Sequence, residues 1–346
     1  MTQKATITLY EVKYCGYFDT PLGRKPRFGD LNSILSDLNK WGKGQYLEDT
    51  KTFDPEKDSD IFPIYLADIA YLKGDWLVAM WNAVPKSEGG VAAVSGRSHV
   101  GSPSVEVSPS KNGTIPGFAT YFWFLPDQKI LATIRLKRPF TGQQAMQQYM
   151  ESFIRYFSSH VVHDESTKNS DDVSPLGYSH TTGGEPLPLH PRFRTQLCRL
   201  PSKIDQLAKQ ATKIYKISKK ESLDLVASTN LTRWEKISSL VFSPSYSLPS
   251  TNRKKAKLEY TTDISVTEEE ILKIAADWEK AGGVESDTNI GFKLRGESSF
   301  IWLSGSIARD EISVELTNTT PEFYDPAILL KSLRNHRDHM LSMVKK

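Results

Sequence analysis

At 346 residues the chain is long enough for two domains with separate cores, and its apolar and charged fractions, 38% and 25%, are ordinary for a soluble protein. The net charge of +3 is small, and two distant cysteines, Cys15 and Cys198, exclude a disulfide framework and a cysteine-rich zinc site. The N-terminus lacks the apolar segment of a secretion signal and no run reaches membrane-spanning length, so we expect a cytoplasmic protein.

The first elements are predicted from alternation and from helical spacing. Thr6–Tyr14 alternates as a strand does. Asp30 is placed to cap a short helix with an apolar stripe. Ile61–Tyr71 and Trp76–Val84 are a predicted hairpin around the turn Lys73-Gly74-Asp75. The apolar stripe of the helix consists of Leu31, Ile34, Leu35 and Leu38.

The acidic stretch Glu48–Asp60 carries six carboxylates against two lysines. Such a cluster can hold a divalent cation, but a solvated acidic loop is commoner and the calcium-loop pattern is missing. Between Pro85 and Pro116 the periodicity is lost, and residues 85–116 are predicted to form a long, mobile loop. Within it, Gly96–Ser102 resembles a phosphate loop but lacks the lysine before the serine, so we reject a nucleoside triphosphatase site there.

The stretch Gly117–Phe140 is predicted to lie at the centre of the first domain. Phe118–Leu125 is an apolar run suited to a strand buried on both faces. A turn at Pro126 leads into Ile130–Lys137, whose alternation predicts a second strand with one apolar and one basic face. Gly142–Phe157 follows with apolar residues at helical spacing. This β-β-α unit is predicted to form the core of the first domain.

Residues 158–189 are polar, contain several prolines and glycines, and lack apolar periodicity, which predicts a linker between domains. The segment holds His160, His163 and Asp164 at a spacing that metal sites use. Because the third ligand or general base of known zinc helices is missing, no metal is expected. No dinucleotide-binding fingerprint occurs either, so no cofactor is expected.

Basic residues become dense after this segment. Residues 202–218 are predicted to form a helix that Ser202 caps and whose apolar stripe faces the core. Four lysines at spacings of four, three and four would share its exposed face, namely Lys209, Lys213, Lys216 and Lys220. These lysines repel one another, so a phosphate backbone would stabilise the face; a solvated face that serves solubility is the alternative interpretation.

The candidate nucleic-acid-binding residues combine this stripe with the basic residues around it and with a second cluster just before a strand that begins at Leu258. The tryptophan and tyrosine content of the chain would assist base stacking. The candidates are Arg192, Arg194, Arg199, Lys203, Lys209, Lys213, Lys216, Lys220, Arg253, Lys254, Lys255 and Lys257.

The remainder of the chain predicts more sheet and helix. Thr229–Phe242 is expected to form two strands, and Thr267–Glu270 is a capping box that opens a helix. Asn289–Leu316 is predicted to be an antiparallel meander, and Asp325–Val344 a closing helix. The closing helix would present a second anion-facing surface made of Arg334, His336, Arg337 and His339.

These elements predict an α+β protein with two domains, each a mostly antiparallel sheet with packed helices. The N-terminal domain would span residues 1–157, the linker residues 158–189, and the C-terminal domain with its basic helix residues 190–346.

Three functions remain open. The basic helix favours a DNA-binding protein without strong sequence preference. The acidic stretch and the scattered histidines give weak support to a metal-dependent nuclease, although we see no arrangement of residues that requires catalysis. A protein-interaction module would dock an acidic partner on the same lysines.

Several local patterns have counterparts in a known family. They are the helix Asp30–Leu38, the hairpin Ile64–Val84, the phenylalanine-rich strand opened by Pro116-Gly-Phe118, and the strand Ile130–Pro139 before a helix. In these, and in its basic helix and helical C-terminus, the chain resembles the A component of the Rex phage-exclusion system of lambdoid phages and related antiphage DNA-binding proteins. The likeness covers the first domain and the outline of the second, and the two loop inserts depart from it.

The resemblance implies a cytoplasmic, homodimeric, DNA-binding protein that acts in phage exclusion, a form of antiviral defence by abortive infection. It also implies a membrane-protein partner.

Overall fold

The computed structural model describes residues 2–56, 61–84, 92–106, 113–136, 142–163, 175–181, 183–224, 255–280, 288–297, 299–320 and 322–344. The chain divides into two compact units. Unit 1 comprises Met1–Arg199 and Ile307–Lys346, and unit 2 comprises Leu200–Ser306. Both combine antiparallel sheet with helices, which confirms the predicted α+β class.

The described residues contain seventeen strands and six α-helices. The strands are β1 Thr2–Phe18, β2 Ile64–Leu72, β3 Asp75–Ala83, β4 Ala93–Ser95, β5 Val105–Glu106, β6 Thr114–Leu125, β7 Ile130–Arg135, β8 Val161–His163, β9 Pro175–Tyr178, β10 His190–Leu197, β11 Ile214–Asp224, β12 Lys255–Asp263, β13 Thr288–Leu294, β14 Ile301–Trp302, β15 Arg309–Glu315, β16 Asn318–Thr320 and β17 Phe323–Tyr324. The helices are α1 Leu31–Gly42, α2 Gln143–Tyr156, α3 Pro201–Lys209, α4 Glu268–Lys280, α5 Pro326–Arg334 and α6 Arg337–Ser342.

Unit 1 is organised around one large antiparallel sheet with the order β10-β1-β7-β6-β3-β2. The long strand β1 pairs with β15 over Thr2–Thr8 and with β10 over Tyr10–Phe18, while β7 lies along its other edge. The predicted hairpins β2–β3 and β6–β7 are both confirmed as neighbours in this sheet.

The helices of unit 1 cover the sheet with the apolar stripes that the sequence predicts. Asp30 caps α1 by accepting hydrogen bonds from the amides of Asn32 and Ser33. Helix α2 buries Met146, Tyr149, Met150, Phe153 and Ile154 and packs against β10. No described helix of either unit is long and apolar enough to cross a membrane.

The division of the chain differs from the predicted one. The prediction assigned β10 and β15 to a second domain, whereas both pair with β1 of unit 1. Residues 158–189, predicted to be a linker, include β8 and β9, which pair with each other, and they lie within unit 1. Strand pairing between residues far apart in sequence leaves no local periodicity by which to recognise it.

Three further local predictions differ from the structure. Strand β7 has no exposed basic face: it lies between β1 and β6, so Thr133 is fully buried and Arg135 donates a hydrogen bond to Thr6. The predicted closing helix is interrupted at Asn335, giving α5 and α6. Of the predicted loop 85–116, residues 92–106 contain β4 and β5, which join the large sheet through β6.

Unit 2 contains a four-stranded antiparallel sheet with the order β12-β11-β13-β14, and helices α3 and α4 that pack on each other. The capping box of α4 is confirmed, because Glu270 accepts from the amide of Thr267 while the Thr267 hydroxyl accepts from the amide of Glu270. Strand β15 does not continue this sheet, so the predicted meander Asn289–Leu316 stops at β14. The predicted strands within Thr229–Phe242 lie outside the described residues.

Candidate nucleic-acid interface

The predicted basic helix is shorter than expected. Helix α3 ends at Lys209, a single 3-10 turn spans Ala211–Lys213, and the chain then becomes β11. The prediction that four lysines share one face of a helix is therefore wrong. Residues 214–218, Ile-Tyr-Lys-Ile-Ser, place two isoleucines three apart, which suits a helix, but β-branched and aromatic side chains favour a strand that is paired on both edges.

The structure divides the lysines of the predicted stripe among three elements. Lys209 is exposed in the last turn of α3, and Lys213 is exposed at the end of the 3-10 turn. Lys216 and Lys220 lie on β11, four residues apart and thus on one face of the sheet. Of the other candidates in this region, Lys203 lies on α3, Lys255 and Lys257 lie on β12, and Arg253 and Lys254 lie outside the described residues.

The three arginine candidates belong to unit 1 and are engaged there. Arg192 lies 3.7 Å over the ring of Tyr14 and donates to the Gly23 carbonyl at 2.9 Å. Arg194 forms an ion pair with Glu151, and burial lowers the pKa of its guanidinium. The backbone of Arg199 forms an isolated antiparallel β-bridge with Ile307, which is also in unit 1. These arginines belong to unit 1, whereas the lysine candidates belong to unit 2.

One face of the unit 2 sheet carries the apolar core. On β13, Phe292 is fully buried and Leu294 nearly so, and they point to the same face because they are two residues apart. Helix α4 contributes Ile271, Ala275 and Trp278, all buried, and its Trp278 indole donates to the Thr288 carbonyl at 2.9 Å. This is the face against which the helices pack.

The opposite face is basic. The register pairs Lys216 with Lys293 and Ser218 with Gly291, and it pairs Gly291 with Trp302 on β14. Directly opposite residues share a face, and so do alternate residues along a strand. Lys216, Lys220, Lys293 and Trp302 therefore lie on the side away from Phe292.

Like charges stand directly opposite one another on this face. Lys216 and Lys293 are register partners on adjacent strands, an arrangement that destabilises a sheet when nothing neutralises it. Beyond the strand ends, the Arg295 amide donates to the Lys213 carbonyl at 2.8 Å, which brings two more exposed cations to this end of the sheet. We call these five residues, Lys213, Lys216, Lys220, Lys293 and Arg295, the basic strip.

Two carboxylates of β12 partly neutralise the basic strip. Asp263 lies 3.6 Å from the Lys216 ammonium and Glu259 lies 3.6 Å from that of Lys220. Both pairs are exposed, with 82% of the Asp263 side chain open to solvent, so solvent screens them and they contribute little. Five cations against two carboxylates leave this face positively charged.

Aromatic rings lie among the lysines. The Trp302 ring packs directly on Gly291, where an added Cβ would lie 2.7 Å from the ring. The Lys220 ammonium is 4.0 Å from the centroid of the same ring, a cation–π contact. Phe300 lies 5.6 Å from Trp302, and the Lys293 ammonium is 5.6 Å from the Phe300 centroid. Lysines and aromatic rings on one open sheet face are the components of surfaces that bind nucleic acid.

Lys293, Arg295, Phe300 and Trp302 are not among the residues predicted from the sequence. Their signal lay in two short stretches, 290–295 with alternating apolar and basic residues and 299–302 with two aromatic rings, each too short to suggest a site by itself. Only the pairing of β13 with β11 and β14 brings them beside Lys216 and Lys220.

The second predicted anion-facing surface, at the C-terminus, is wrong. Arg334 forms an ion pair with Asp75, and Arg337 pairs with Asp75 at 3.3 Å and with Asp127 at 2.6 Å. His339 lies 2.6 Å from an Asp310 oxygen, and this contact lowers the pKa of Asp310. Carboxylates within the same unit already meet these cationic groups.

Two histidines of the predicted linker, His160 and His180, lie in an aromatic cluster. His160 packs 5.1 Å from Phe28 and 5.4 Å from Tyr17, and its Nδ1 is 2.9 Å from the Ser179 carbonyl. Among the residues that the structure describes, no group of three or more histidine, cysteine or acidic side chains is arranged to hold a metal ion.

Comparison of the chain with protein-family models, with curated proteins and with solved structures finds no match in any of the three.

Proposed function

We propose that the protein binds DNA without strong sequence preference, through the basic strip of unit 2. The observation that carries this proposal is the placement of Lys216, Lys220 and Lys293 on one open sheet face around Trp302. A phosphate backbone would relieve the repulsion between Lys216 and Lys293 and would release its condensed counterions on binding.

The dimensions of the basic strip suit a polyanion better than a single small anion. Side chains on one face of a strand repeat every ~6.6 Å, so Lys216 and Lys220 are separated by roughly 13 Å. DNA carries one phosphate per ~3.4 Å of each strand along its axis, so several phosphates can lie along the strip.

Lysine is a point charge on a flexible stem, and contacts with phosphate carry no base information. We therefore expect similar affinities for unrelated DNA sequences of equal length.

The test compares two variants of the full chain that lose the same charge. Lys216, Lys220 and Lys293 are changed to glutamine in one variant, and the exposed Lys40, Lys43 and Lys331 of unit 1 in the control. At low salt we expect the first variant to bind DNA at least tenfold more weakly, ~1.4 kcal/mol, and the control to bind as the wild type does.

If both variants bind DNA equally weakly, the loss of affinity comes from net charge and not from the basic strip. If the wild type does not bind DNA, the proposal is overturned. In the second case, binding to an acidic protein would account for the same lysines. The assay is run with and without Mg²⁺, because cleavage of the DNA would favour the nuclease interpretation.

The biological setting rests on the family resemblance alone. We propose phage exclusion as the role in which this DNA binding is used, with homodimerisation and a membrane-protein partner as its further elements. If so, expressing the wild-type chain in a phage-sensitive bacterium should lower plaque formation, and the triple variant at Lys216, Lys220 and Lys293 should restore it. Equal plaque formation with wild type and variant would contradict this role.

A further inference from the structure

Two arginines lie on the same face of the large sheet of unit 1, on either side of β1. Arg135 of β7 is the register partner of Thr6. Arg309 of β15 is the register partner of Thr8 on the other edge of the same strand. Directly opposite residues share a face, and so do residues two apart along a strand, so these four side chains point to one side of the sheet. Both arginines are half-buried.

The two threonine hydroxyls accept hydrogen bonds from these arginines. Arg135 Nη2 donates to Thr6 Oγ1 at 3.3 Å. Arg309 Nε donates to Thr8 Oγ1 at 3.1 Å. A hydroxyl that accepts one bond still has its own proton to donate, and neither proton has an acceptor among the described residues. Each hydroxyl therefore offers a donor to a further partner.

A third hydroxyl on this face is unpaired. Thr133 of β7 lies opposite Thr8, and its side chain is fully buried. Within the described structure its Oγ1 has no hydrogen-bond partner. An unpaired buried hydroxyl destabilises a fold, and a ligand that supplies the missing partner would remove that cost. We call these five residues, Thr6, Thr8, Thr133, Arg135 and Arg309, the arginine–threonine site.

The carboxylate beside the arginine–threonine site is already engaged. Glu311 of β15 lies opposite Thr6 on the same face, and it binds the Lys4 ammonium at 2.7 Å. Arg135 forms no ion pair with any carboxylate that the structure describes. Its guanidinium is therefore available to an anion from outside the chain, which would also reduce the repulsion between the two arginines.

We infer that the arginine–threonine site binds a single phosphate group. Guanidinium groups form charge-assisted hydrogen bonds with phosphate, and the hydroxyls can donate to its remaining oxygens. Donors from three adjacent strands suit a tetrahedral group better than the two coplanar oxygens of a carboxylate.

The dimensions and charges of the arginine–threonine site favour a small ligand. Side chains on one face of a strand repeat every ~6.6 Å, so the hydroxyls of Thr6 and Thr8 leave room for one phosphate group between their arginines. The exposed Glu311 beside them would repel an extended polyanion such as a DNA backbone. The inference is therefore separate from the DNA binding proposed for unit 2.

The first measurement titrates the full chain with inorganic phosphate by calorimetry. Sodium chloride at the same ionic strength is the reference, and thymidine 5′-monophosphate is a second probe that carries the same group as an ester. We expect saturable binding of phosphate that chloride does not reproduce. Tighter binding of the monophosphate would identify a phosphate ester as the ligand, and equal binding would identify the free ion.

The second measurement repeats the titration with variants. Arg135→Gln should weaken phosphate binding roughly tenfold, as expected for the loss of a charge-assisted hydrogen bond. Arg24→Gln is the matched control, because Arg24 is an exposed arginine in the loop after the far end of β1, and this variant should bind as the wild type does. Thr133→Val keeps the shape of the side chain and removes only the unpaired hydroxyl. It should weaken phosphate binding and leave the phosphate-free protein at least as stable as the wild type.

Three results would overturn the inference. Binding of neither probe beyond the chloride reference would leave the arginines with the structural role of joining β7 and β15 to β1. Equal weakening by Arg135→Gln and Arg24→Gln would assign the effect to net charge. If Arg135→Gln does not fold, Thr133→Val decides, and phosphate binding equal to that of the wild type would overturn the site. Each of these results leaves the proposal for the basic strip unaffected.

Discussion

The two units use their cationic side chains in different ways. In unit 1, Arg334 and Arg337 converge on Asp75, whose side chain is 1% exposed, and Arg337 also donates two bonds of 2.6 Å to Asp127. In unit 2, Lys216 and Lys220 meet exposed carboxylates at 3.6 Å. In unit 1 these arginines are paired away from solvent and join helices to strands. In unit 2 the lysines stay charged at the protein surface.

The difference shows why a run of cations in a sequence does not identify a binding surface. Arg334 and Arg337 form as dense a basic cluster in the sequence as the lysines do, yet in the structure both pair with the buried Asp75. A surface that binds an external anion needs cations that are not already held in buried ion pairs. On the basic strip, the carboxylates that pair with the lysines are exposed.

The largest effect is expected from breaking the unit 1 arrangement. Asp75→Ala leaves two arginines, each with about one-fifth of its side chain exposed, without a carboxylate that they share. Removing one partner of a buried ion pair costs ~3–5 kcal/mol, so we expect the free energy of unfolding in urea to fall by about 3 kcal/mol.

The control for this change is Asp127→Ala. Asp127 binds Arg337 too, but its side chain is 52% exposed, so its loss should cost only ~0.5–1 kcal/mol. Equal losses for both variants would mean that burial of Asp75 is not what makes its arginine pairs important.

A smaller effect is expected from Gly291→Val in unit 2. A Cβ at this position lies 2.7 Å from the Trp302 ring, so the ring must move away from the sheet. We expect a loss of ~1–3 kcal/mol in stability, measured by thermal unfolding, together with weaker DNA binding. Gly305→Ala is the control, because its added Cβ meets open space. Unchanged DNA binding by a folded Gly291→Val protein would remove Trp302 from the site.

The smallest effect concerns Asp68, a carboxyl of unit 1 that has no cation paired with it among the described contacts. Burial, with a smaller contribution from the nearby Asp325, raises the pKa of Asp68 from 3.8 to about 6, although the hydrogen bond from the Ile69 amide lowers it. A carboxyl whose pKa is higher in the folded state binds more protons when folded, so the contribution of Asp68 to the free energy of unfolding should rise as the pH falls from about 7 towards 4.

Asp68→Asn removes this ionisation. We expect the variant to be more stable than the wild type by roughly 1–2 kcal/mol at pH 7.5 and to lose that advantage as the pH falls below about 6. Thermal unfolding of both proteins across this pH range measures the difference. An advantage that does not change with pH would show that Asp68 is not the titrating group.

Local elements with strong patterns were predictable from the sequence. The alternation of the β2–β3 and β6–β7 hairpins, the Asp30 cap of α1 and the Thr267–Glu270 capping box are confirmed at nearly the predicted bounds. In each of these elements, the residues that form the pattern lie close in sequence to the residues that they contact. The sequence alone is therefore enough to predict the element.

The unit boundary and the geometry of the site were not predictable in this way. Strand β15 pairs with β1 across about three hundred residues, and no local pattern records such a partner. Residues 214–218 satisfy helical spacing and strand propensity together, and only pairing with β12 and β13 decides between them. Lys216 and Lys220 were thus identified with the wrong geometry, and Lys293 and Trp302 were missed.

We propose that the basic strip, and not the overall charge of the chain, binds the phosphate backbone. The sharpest test is the slope of log affinity against log salt for duplex DNA. Each phosphate contact contributes a slope of about −0.9, so changing Lys216, Lys220 and Lys293 to glutamine should make the slope shallower by about 2 to 3. A slope that matches that of the wild type would place the phosphate contacts elsewhere and overturn binding by the basic strip.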